Sequence, residues 1–205
     1  LMVNMSRYLF EPPHSEETNY FSTTHRQDEK AGVTGARVPL HGPLRIGSLE
    51  LETPVLQAPI AGFTDLVFRR IVREFGGCGL IYTEMVSAGG WVRGNIPPER
   101  LVGVEDEPRP LGVQLWDREP EMVEEAARRL ADLDISVIDL NFGCPKKRIM
   151  GKQGSGAQLL RDPSTIGRMV EATKRGAGEI PVTAKIRLGP TVDQITAVEV
   201  ARASQ

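Results

Sequence analysis

The sequence predicts an α/β fold in which parallel strands alternate with helices. Short apolar runs, such as residues 137–140, recur along the chain, and stretches with helical spacing of apolar residues separate them. Strands that follow one another in parallel need crossovers of this length. The hydrophobic content of 40% over 205 residues is enough for the core that such a fold buries.

The chain before the first parallel strand has two parts. Residues 1–40 show little periodicity and many polar side chains, so we expect a poorly ordered N-terminal extension. Residues 44–46 and 49–51 flank Gly47-Ser48 and predict a small hairpin, which would close the amino-terminal end of a barrel. We expect residues 41–205 to form the folded part.

Five strands are predicted after the hairpin, each from a short apolar run. They are residues 55–58, 80–82, 111–114, 137–140 and 181–186. Between the second and third, residues 86–108 contain Pro97-Pro98 and an acidic turn, and we expect them to be irregular.

Four helical stretches separate or follow these strands. Thr64 is expected to cap the first, the second begins near Asp117, Asp162-Pro163 starts the third, and residues 193–203 have a helical pattern. Each of the first three has an apolar face at i, i+3, i+4, i+7 spacing. These faces are Phe68, Ile71, Val72 and Phe75; Met122, Val123, Ala126, Ala127 and Leu130; and Ile166, Met169, Val170 and Thr173.

Two architectures fit this alternation, an open doubly wound sheet and a TIM-type (β/α)8 barrel. No GxGxxG motif follows the first strand, which disfavours a dinucleotide-binding sheet. A whole barrel takes eight strands in about 250 residues. The five predicted strands therefore indicate a barrel that is incomplete in this chain, with about five of eight βα units.

Composition narrows the classes of function. The net charge of −2 gives no overall nucleic-acid signature, so any polyanion site must be a local patch. Two cysteines far apart make no disulfide framework and point to a reducing compartment. No run approaches the roughly 18 apolar residues of a membrane helix, and the start lacks the apolar core of a signal peptide. We expect a cytoplasmic protein with no metal site.

Cys144 lies in a turn between glycine and proline, directly after the strand at 137–140. In α/β folds the carboxyl ends of the strands hold the chemistry. A thiol with the ordinary pKa of about 8.5 is mostly protonated at neutral pH and can donate a proton, although a small core residue is the alternative. All three histidines fall within residues 1–41, which disfavours a Cys–His nucleophile.

Three polar residues at strand ends are candidate ligand contacts. Gln114 and Asn141 offer amides that suit a planar heterocycle with alternating donors and acceptors, or that simply cap the strands. Lys185 lies in an apolar strand, where a cation is costly unless it faces a ligand or a counter-charge. It would stabilise negative charge on a reduced cofactor, and Arg187 would reach a phosphate.

A basic loop follows Cys144 and contains Lys146, Lys147, Arg148 and Lys152. A solvated charge run is the ordinary explanation, but beside a strand-end thiol a polyanionic substrate is favoured. The glycines at 151, 154 and 156 would let a phosphate backbone come close.

At these motifs the chain resembles the tRNA-dihydrouridine synthases, which are flavin-dependent barrel enzymes. The resemblance runs from about residue 44 to residue 190. Its specific parts are APIAGFTD at 58–65, GVQ at 112–114, NFGCP at 141–145, the glycine-rich run 152–160 and KIR at 185–187. It implies FMN reduced by NADPH, hydride transfer to C6 of a uridine in tRNA, and protonation of C5 by Cys144.

The resemblance also implies roles by position. Backbone groups of Pro59, Ile60 and Ala61 and the side chains of Gln114 and Lys185 would hold the flavin ring, with Asn141 beside substrate or flavin. The tRNA contacts would be Lys147, Arg148, Lys152 and Arg187. The family usually has Met where Ile60 stands, which a backbone contact tolerates. The later barrel strands, the flavin-phosphate site and a helical tRNA-binding domain would belong to a missing C-terminal half of the same protein.

Two other functions stay open. One is another FMN barrel oxidoreductase, similar to a dihydroorotate dehydrogenase, which also places a reactive residue near an Asn…Cys-Pro turn; the basic loop argues against it. The other is an inactive fragment that binds RNA through residues 146–152.

Overall fold

The structure is a computed structural model that describes residues 43–95, 104–152 and 154–205. For Lys152 it describes the backbone only. The predicted N-terminal extension lies outside these residues. The predicted hairpin is confirmed: β1 (Leu44–Ile46) pairs antiparallel with β2 (Leu49–Leu51).

Five parallel strands form one sheet, ordered as they occur in the chain. They are β3 (Leu56–Gln57), β4 (Leu80–Ser87), β5 (Leu111–Trp116), β6 (Val137–Asn141) and β7 (Val182–Lys185). A doubly wound sheet reverses its strand order at a switch point, whereas a barrel does not. The sequential order therefore confirms the predicted α/β fold, a TIM-type barrel of which this chain contributes about five βα units.

Helices alternate with these strands. The described residues form α1 (Leu66–Phe75), α2 (Ala88–Val92), α3 (Pro120–Ala131), α4 (Pro163–Ala177) and α5 (Ala197–Ala203), with a π-helical turn at Arg148–Lys152 and a 3₁₀ turn at Gly156–Arg161. None of the helices in the described ranges has the length and apolar character needed to cross a membrane.

Two predictions about where elements begin are wrong. The irregular region predicted from residue 86 begins with the end of β4 and then α2, whose first turn is capped by the Ser87 hydroxyl accepting from Gly90 N. Asp65, not Thr64, caps α1, because its carboxylate accepts from Phe68 N. Thr64 is buried instead, and its hydroxyl donates to the Ile60 carbonyl.

The two central helices confirm the predicted apolar faces. In α3 the buried side chains include Val123 and Leu130, and in α4 they include Ile166 and Met169. These helices pack against each other on the outer face of the sheet, where Leu111, Val113, Leu115, Ile138 and Leu140 complete the same core.

The apolar face predicted for α1 is wrong. Phe68, Ile71 and Phe75 are exposed, Phe75 to 86%, and the buried residue is Arg69. The Arg69 guanidinium makes an ion pair with buried Glu107 at 2.5 Å and donates to the Thr64 carbonyl at 2.8 Å. The spacing of apolar residues identifies a stripe but not the element that covers it. This helix follows β3, an edge strand of the described sheet.

The hairpin packs on the inner face of the sheet, at the amino-terminal ends of its strands. Leu51 is buried against Leu80 and Tyr82 of β4 and against Val137 of β6. Leu44, Ile46 and Leu49 of the hairpin and Leu56 of β3 border this cluster. The hairpin therefore closes the amino-terminal end of the sheet, as predicted.

Candidate active site

Polar side chains gather on the inner face at the carboxyl ends of β5, β6 and β7. Side chains alternate between the two faces of a strand, so Asp139 and Asn141 share a face of β6. Gln114 is aligned with Asp139, and Asn141 with Lys185. The structure thus brings together three predicted site residues, Gln114, Asn141 and Lys185, around a carboxylate.

A chain of hydrogen bonds connects this carboxylate to the turn that contains Cys144. Gln114 Nε2 donates to Asp139 Oδ2 at 2.6 Å, and Asn141 Nδ2 donates to Gln114 Oε1 at 2.8 Å. Asn141 Oδ1 then accepts from the backbone N–H of Gly143 at 3.1 Å and of Cys144 at 2.9 Å. We call these five residues the amide relay.

Asp139 belongs to this candidate site and was not predicted from the sequence. It lies within the apolar run 137–140. A charged residue in an apolar strand indicates a ligand or a counter-charge, as it did for Lys185, so the same argument could have identified Asp139. The side chain is fully buried, and burial raises the pKa of its carboxyl to about 6 against the opposing effects of hydrogen bonds from Thr183 and Gln114 and of the Lys185 charge. Thr183 Oγ1 donates to Asp139 Oδ1 at 2.6 Å.

Lys185 is half-buried at the end of β7. Burial lowers the pKa of its ammonium, the charge of Asp139 opposes that change, and the Arg187 guanidinium adds to it. A cation that is partly desolvated in this way gains from a negative group placed nearby.

Cys144 has a free, half-buried thiol, and its turn is held from two sides. The Asn141 side-chain oxygen accepts from the backbone N–H of Cys144, and the Cys144 carbonyl accepts from Ala157 N at 3.0 Å. Gly156 has a φ of 61°, and a Cβ there would lie 2.7 Å from the Cys144 carbonyl oxygen. A side chain at 156 would therefore push the turn out of place.

Three of the four predicted RNA contacts, Lys147, Arg148 and Arg187, border the same turn, and the side chain of the fourth, Lys152, lies outside what the structure describes. Lys146, Lys147 and Arg148 are exposed. Arg187 is half-buried, and its Nε donates to the Gly143 carbonyl at 2.6 Å. Arg187 therefore braces the turn, with the guanidinium N–H groups beyond Nε available to a ligand.

The loop after β3 reaches the same edge of the sheet. Ile60 N donates to Thr64 Oγ1 at 3.1 Å, and the Ile60 carbonyl accepts from the N–H of Phe63 and Thr64. Gly62 N donates to the Glu84 carboxylate of β4. Of the three predicted backbone contacts, the turn occupies the groups of Ile60, which leaves Pro59 and Ala61.

Comparison with known proteins gives consistent matches. The family model described as Dihydrouridine synthase (Dus) matches residues 56–205. A probable tRNA-dihydrouridine synthase of Rhodobacter capsulatus is 43% identical over 164 residues, which cover 77% of this chain and 48% of the relative. The tRNA-dihydrouridine synthase B of Pseudomonas aeruginosa is 38% identical over 165 residues, which cover 79% of this chain and 48% of that relative. The chain spans about half the length of these curated relatives.

A solved structure shares the fold. Histamine dehydrogenase from Rhizobium sp. 4-9 matches with a TM-score of 0.51 and 16% sequence identity, over 72% of this chain and 33% of that protein. At this identity the likeness concerns the fold alone.

Proposed function

The chain belongs to the dihydrouridine synthase family, and we propose that it contributes the catalytic thiol of a tRNA-dihydrouridine synthase. The reaction is the FMN-dependent, NADPH-driven reduction of the C5=C6 bond of a uridine in tRNA. The supporting observation is the amide relay, which ties the turn of Cys144 to the polar inner face at the carboxyl ends of the strands. Barrel enzymes have their active sites at this end.

The donors and acceptors at this edge fit a flavin ring. Gln114 keeps one N–H and one oxygen lone pair beyond its bonds to Asp139 and Asn141. Lys185 offers an ammonium, and Pro59 and Ala61 offer backbone groups from the neighbouring loop. These groups would hold FMN, which supplies a hydride for C6 of the uridine when it is bound.

The residues of the chain divide the remaining work. Lys185 favours negative charge in the site, because its partly desolvated ammonium lacks the full hydration it has in water. The Cys144 Sγ–H proton goes to C5 of the uracil ring, which leaves a thiolate that solvent reprotonates. Asn141 orients the turn, because its side-chain oxygen accepts hydrogen bonds from the backbone N–H groups of Gly143 and Cys144.

The basic residues beside this turn would bind the tRNA backbone. Lys147, Arg148 and Lys152 follow Cys144 in the chain, and Arg187 bonds the Gly143 carbonyl of the same turn, while the whole chain has a net charge of −2. A local cluster of this kind binds phosphates with an affinity that falls as salt rises. Tight binding to tRNA at low salt, lost at high salt, is the expected signature.

Two exposed apolar surfaces support the proposal that residues 41–205 are the N-terminal part of the catalytic barrel. All the large apolar side chains that are exposed in the described residues lie toward the two edges of the sheet. Near β3 and α1 they are Val55, Ile60, Phe63, Val67, Phe68, Ile71 and Phe75, and beyond β7 they are Leu188, Val192, Ile195 and Val198. Further βα units from a C-terminal half of the same protein would cover both edges and complete the barrel.

The test is reduction of unmodified tRNA by the chain combined with the proposed C-terminal half and supplied with FMN and NADPH. Cys144→Ala should lower the rate about 10²- to 10⁴-fold, as expected for loss of a general acid, while flavin absorbance and tRNA binding persist. Cys78→Ala is the matched control, because Cys78 lies in the loop before β4 and should leave the rate unchanged.

Three results would contradict the proposal. A Cys144→Ala variant as active as the parent would remove the thiol from the mechanism. Turnover of orotate but not of tRNA would favour a dihydroorotate dehydrogenase-like enzyme. Binding of tRNA without reduction of any uridine would favour an RNA-binding fragment.

A further inference from the structure

Asp139 is a fully buried carboxylate to which the chemistry above assigns no step. A buried charge is costly unless hydrogen bonds compensate for its lost hydration. Asp139 receives two such bonds, from Gln114 Nε2 and from Thr183 Oγ1, both at 2.6 Å. An ionised carboxylate accepts hydrogen bonds and cannot donate, so each partner must turn a donor toward it.

This requirement fixes the direction of both amides in the relay. With its NH₂ group turned to Asp139, Gln114 must present its oxygen to Asn141. Asn141 then turns its own NH₂ group to Gln114 and its oxygen to the backbone N–H groups of the turn. Reversing either amide would set oxygen against oxygen or N–H against N–H in a buried site.

We propose that Asp139 is a positioning residue, whose acceptor-only carboxylate sets the direction of the amide relay and thereby fixes the turn of Gly143 and Cys144. The part that concerns proton donation by Cys144 rests on the proposed function. The effect on the turn itself follows from the hydrogen-bond geometry and needs neither flavin nor tRNA.

Thr183 provides a matched control. Its hydroxyl bonds the other carboxylate oxygen, and a hydroxyl can rotate to donate or accept. Thr183→Val would remove one hydrogen bond from the same buried carboxylate without touching any link of the relay. If the effect is a general disturbance around the carboxylate, Thr183→Val and substitution of Asp139 should both cause it. If the effect is loss of the hydrogen-bond direction in the amide relay, only substitution of Asp139 should cause it.

The experiment measures amide hydrogen exchange at Gly143 and Cys144 and the rate of Cys144 alkylation by iodoacetamide. Asp139→Leu keeps the number and branching of the side-chain heavy atoms and removes the acceptor. It should speed exchange at both amides at least tenfold and change the alkylation rate severalfold, with exchange in α3 unaltered. Asp139→Asn retains an oxygen that can accept from Gln114. In Asp139→Asn and in Thr183→Val, the amide exchange rates and the alkylation rate should stay within about twofold of the parent.

Unchanged exchange at Gly143 and Cys144 in folded Asp139→Leu would overturn the proposal, and so would equal effects of Asp139→Leu and Thr183→Val. If Asp139→Leu does not fold, Gln114→Met breaks the next link, and unchanged exchange there overturns the proposal equally. A chain that shows the expected exchange pattern but reduces no tRNA counts against the proposed function alone. An active chain with unchanged exchange in the variants counts against the positioning role alone.

Discussion

The two ends of the inner face of the sheet differ sharply although the same strands build both. At the amino-terminal end, Leu80, Tyr82 and Val137 pack under the hairpin in an apolar cluster. At the carboxyl end, Gln114 and Asp139 are equally buried but polar. Strand alternation decides which side chains face inward, and position along the strand decides whether they serve packing or chemistry.

The energetics of the two ends differ accordingly. The apolar end gains roughly 25 cal/mol for each Å² of apolar surface that it removes from water. The polar end must give up the hydration of a carboxylate and two amides, which their mutual hydrogen bonds replace, and part of the hydration of the Lys185 ammonium, which only the nearby charge of Asp139 offsets. Substitutions at the apolar end should therefore affect folding, and those at the polar end should affect binding and pH dependence.

The largest expected effect comes from the apolar end. Leu80→Ala should lower the free energy of unfolding by about 2–5 kcal/mol, because it opens a cavity beneath the hairpin. Urea unfolding measures the loss, and Glu50→Ala on the exposed side of the hairpin should stay within about 0.5 kcal/mol of the parent. A loss below about 1 kcal/mol for Leu80→Ala would mean that the hairpin does not seal this end.

The pH dependence of stability should come from the polar end. Burial raises the pKa of Asp139 from 3.8 to about 6, so between these values the folded chain holds a proton that the unfolded chain has lost. The free energy of unfolding should therefore fall as pH rises through this window, by about 3 kcal/mol over the whole titration of this group and by about 2 kcal/mol between pH 4.5 and 7. Urea unfolding at pH 4.5 and 7 measures the change. Asp139→Asn should flatten it, and equal pH dependence in both proteins would refute the assignment.

Lys185→Met should separate binding from folding. FMN affinity should fall about 30-fold, or about 2 kcal/mol, because a charged partner is lost. The free energy of unfolding should stay level or rise, since the variant no longer desolvates an ammonium whose pKa is already lowered by burial. Flavin fluorescence titration and urea unfolding measure the two quantities, with exposed Lys174→Met as control. Lower stability with unchanged FMN affinity would contradict the division between the two ends.

The smallest effect should come from the outer helices. Asp162 caps α4 by accepting from Thr165 N at 3.0 Å, so Asp162→Ala should lower the free energy of unfolding slightly, and by much less than Leu80→Ala. FMN affinity should not change, because this cap lies in neither end of the inner face. Exposed Glu171→Ala, in the middle of α4, is the control and should change neither quantity. A shift in FMN affinity would show that the outer layer also tunes the site.

The sequence was most informative where burial leaves a simple pattern. The central strands β5 and β6 are covered on both faces and read as continuous apolar runs. The same kind of run indicated the edge strands β3 and β7, although their residues are only half-buried. The strand β4 was predicted too short, because Thr83, Glu84 and Ser87 interrupt its apolar run. The apolar stripe of α1 was visible, but the pattern could not tell what lies against it.

The candidate site was predictable to the same degree. Gln114, Asn141 and Lys185 could be placed together because the carboxyl ends of parallel strands meet at one edge. The direction of the hydrogen bonds among them depends on three-dimensional partners that spacing does not encode, so Asp139 stayed hidden in its apolar run. The bond from Arg187 to the Gly143 carbonyl joins residues 44 positions apart and was equally invisible.

Gly112 of β5 lies directly opposite Tyr82 of β4, and any Cβ at 112 would collide with the ring of that tyrosine. The two positions therefore cannot drift independently in the history of the family. Lineages that retain an aromatic ring at 82 should retain glycine at 112, and an alanine or serine at 112 should occur beside a smaller residue at 82. An alignment of homologues would show this as paired substitution. A redesign of the barrel interior that changes Gly112 must therefore also change Tyr82.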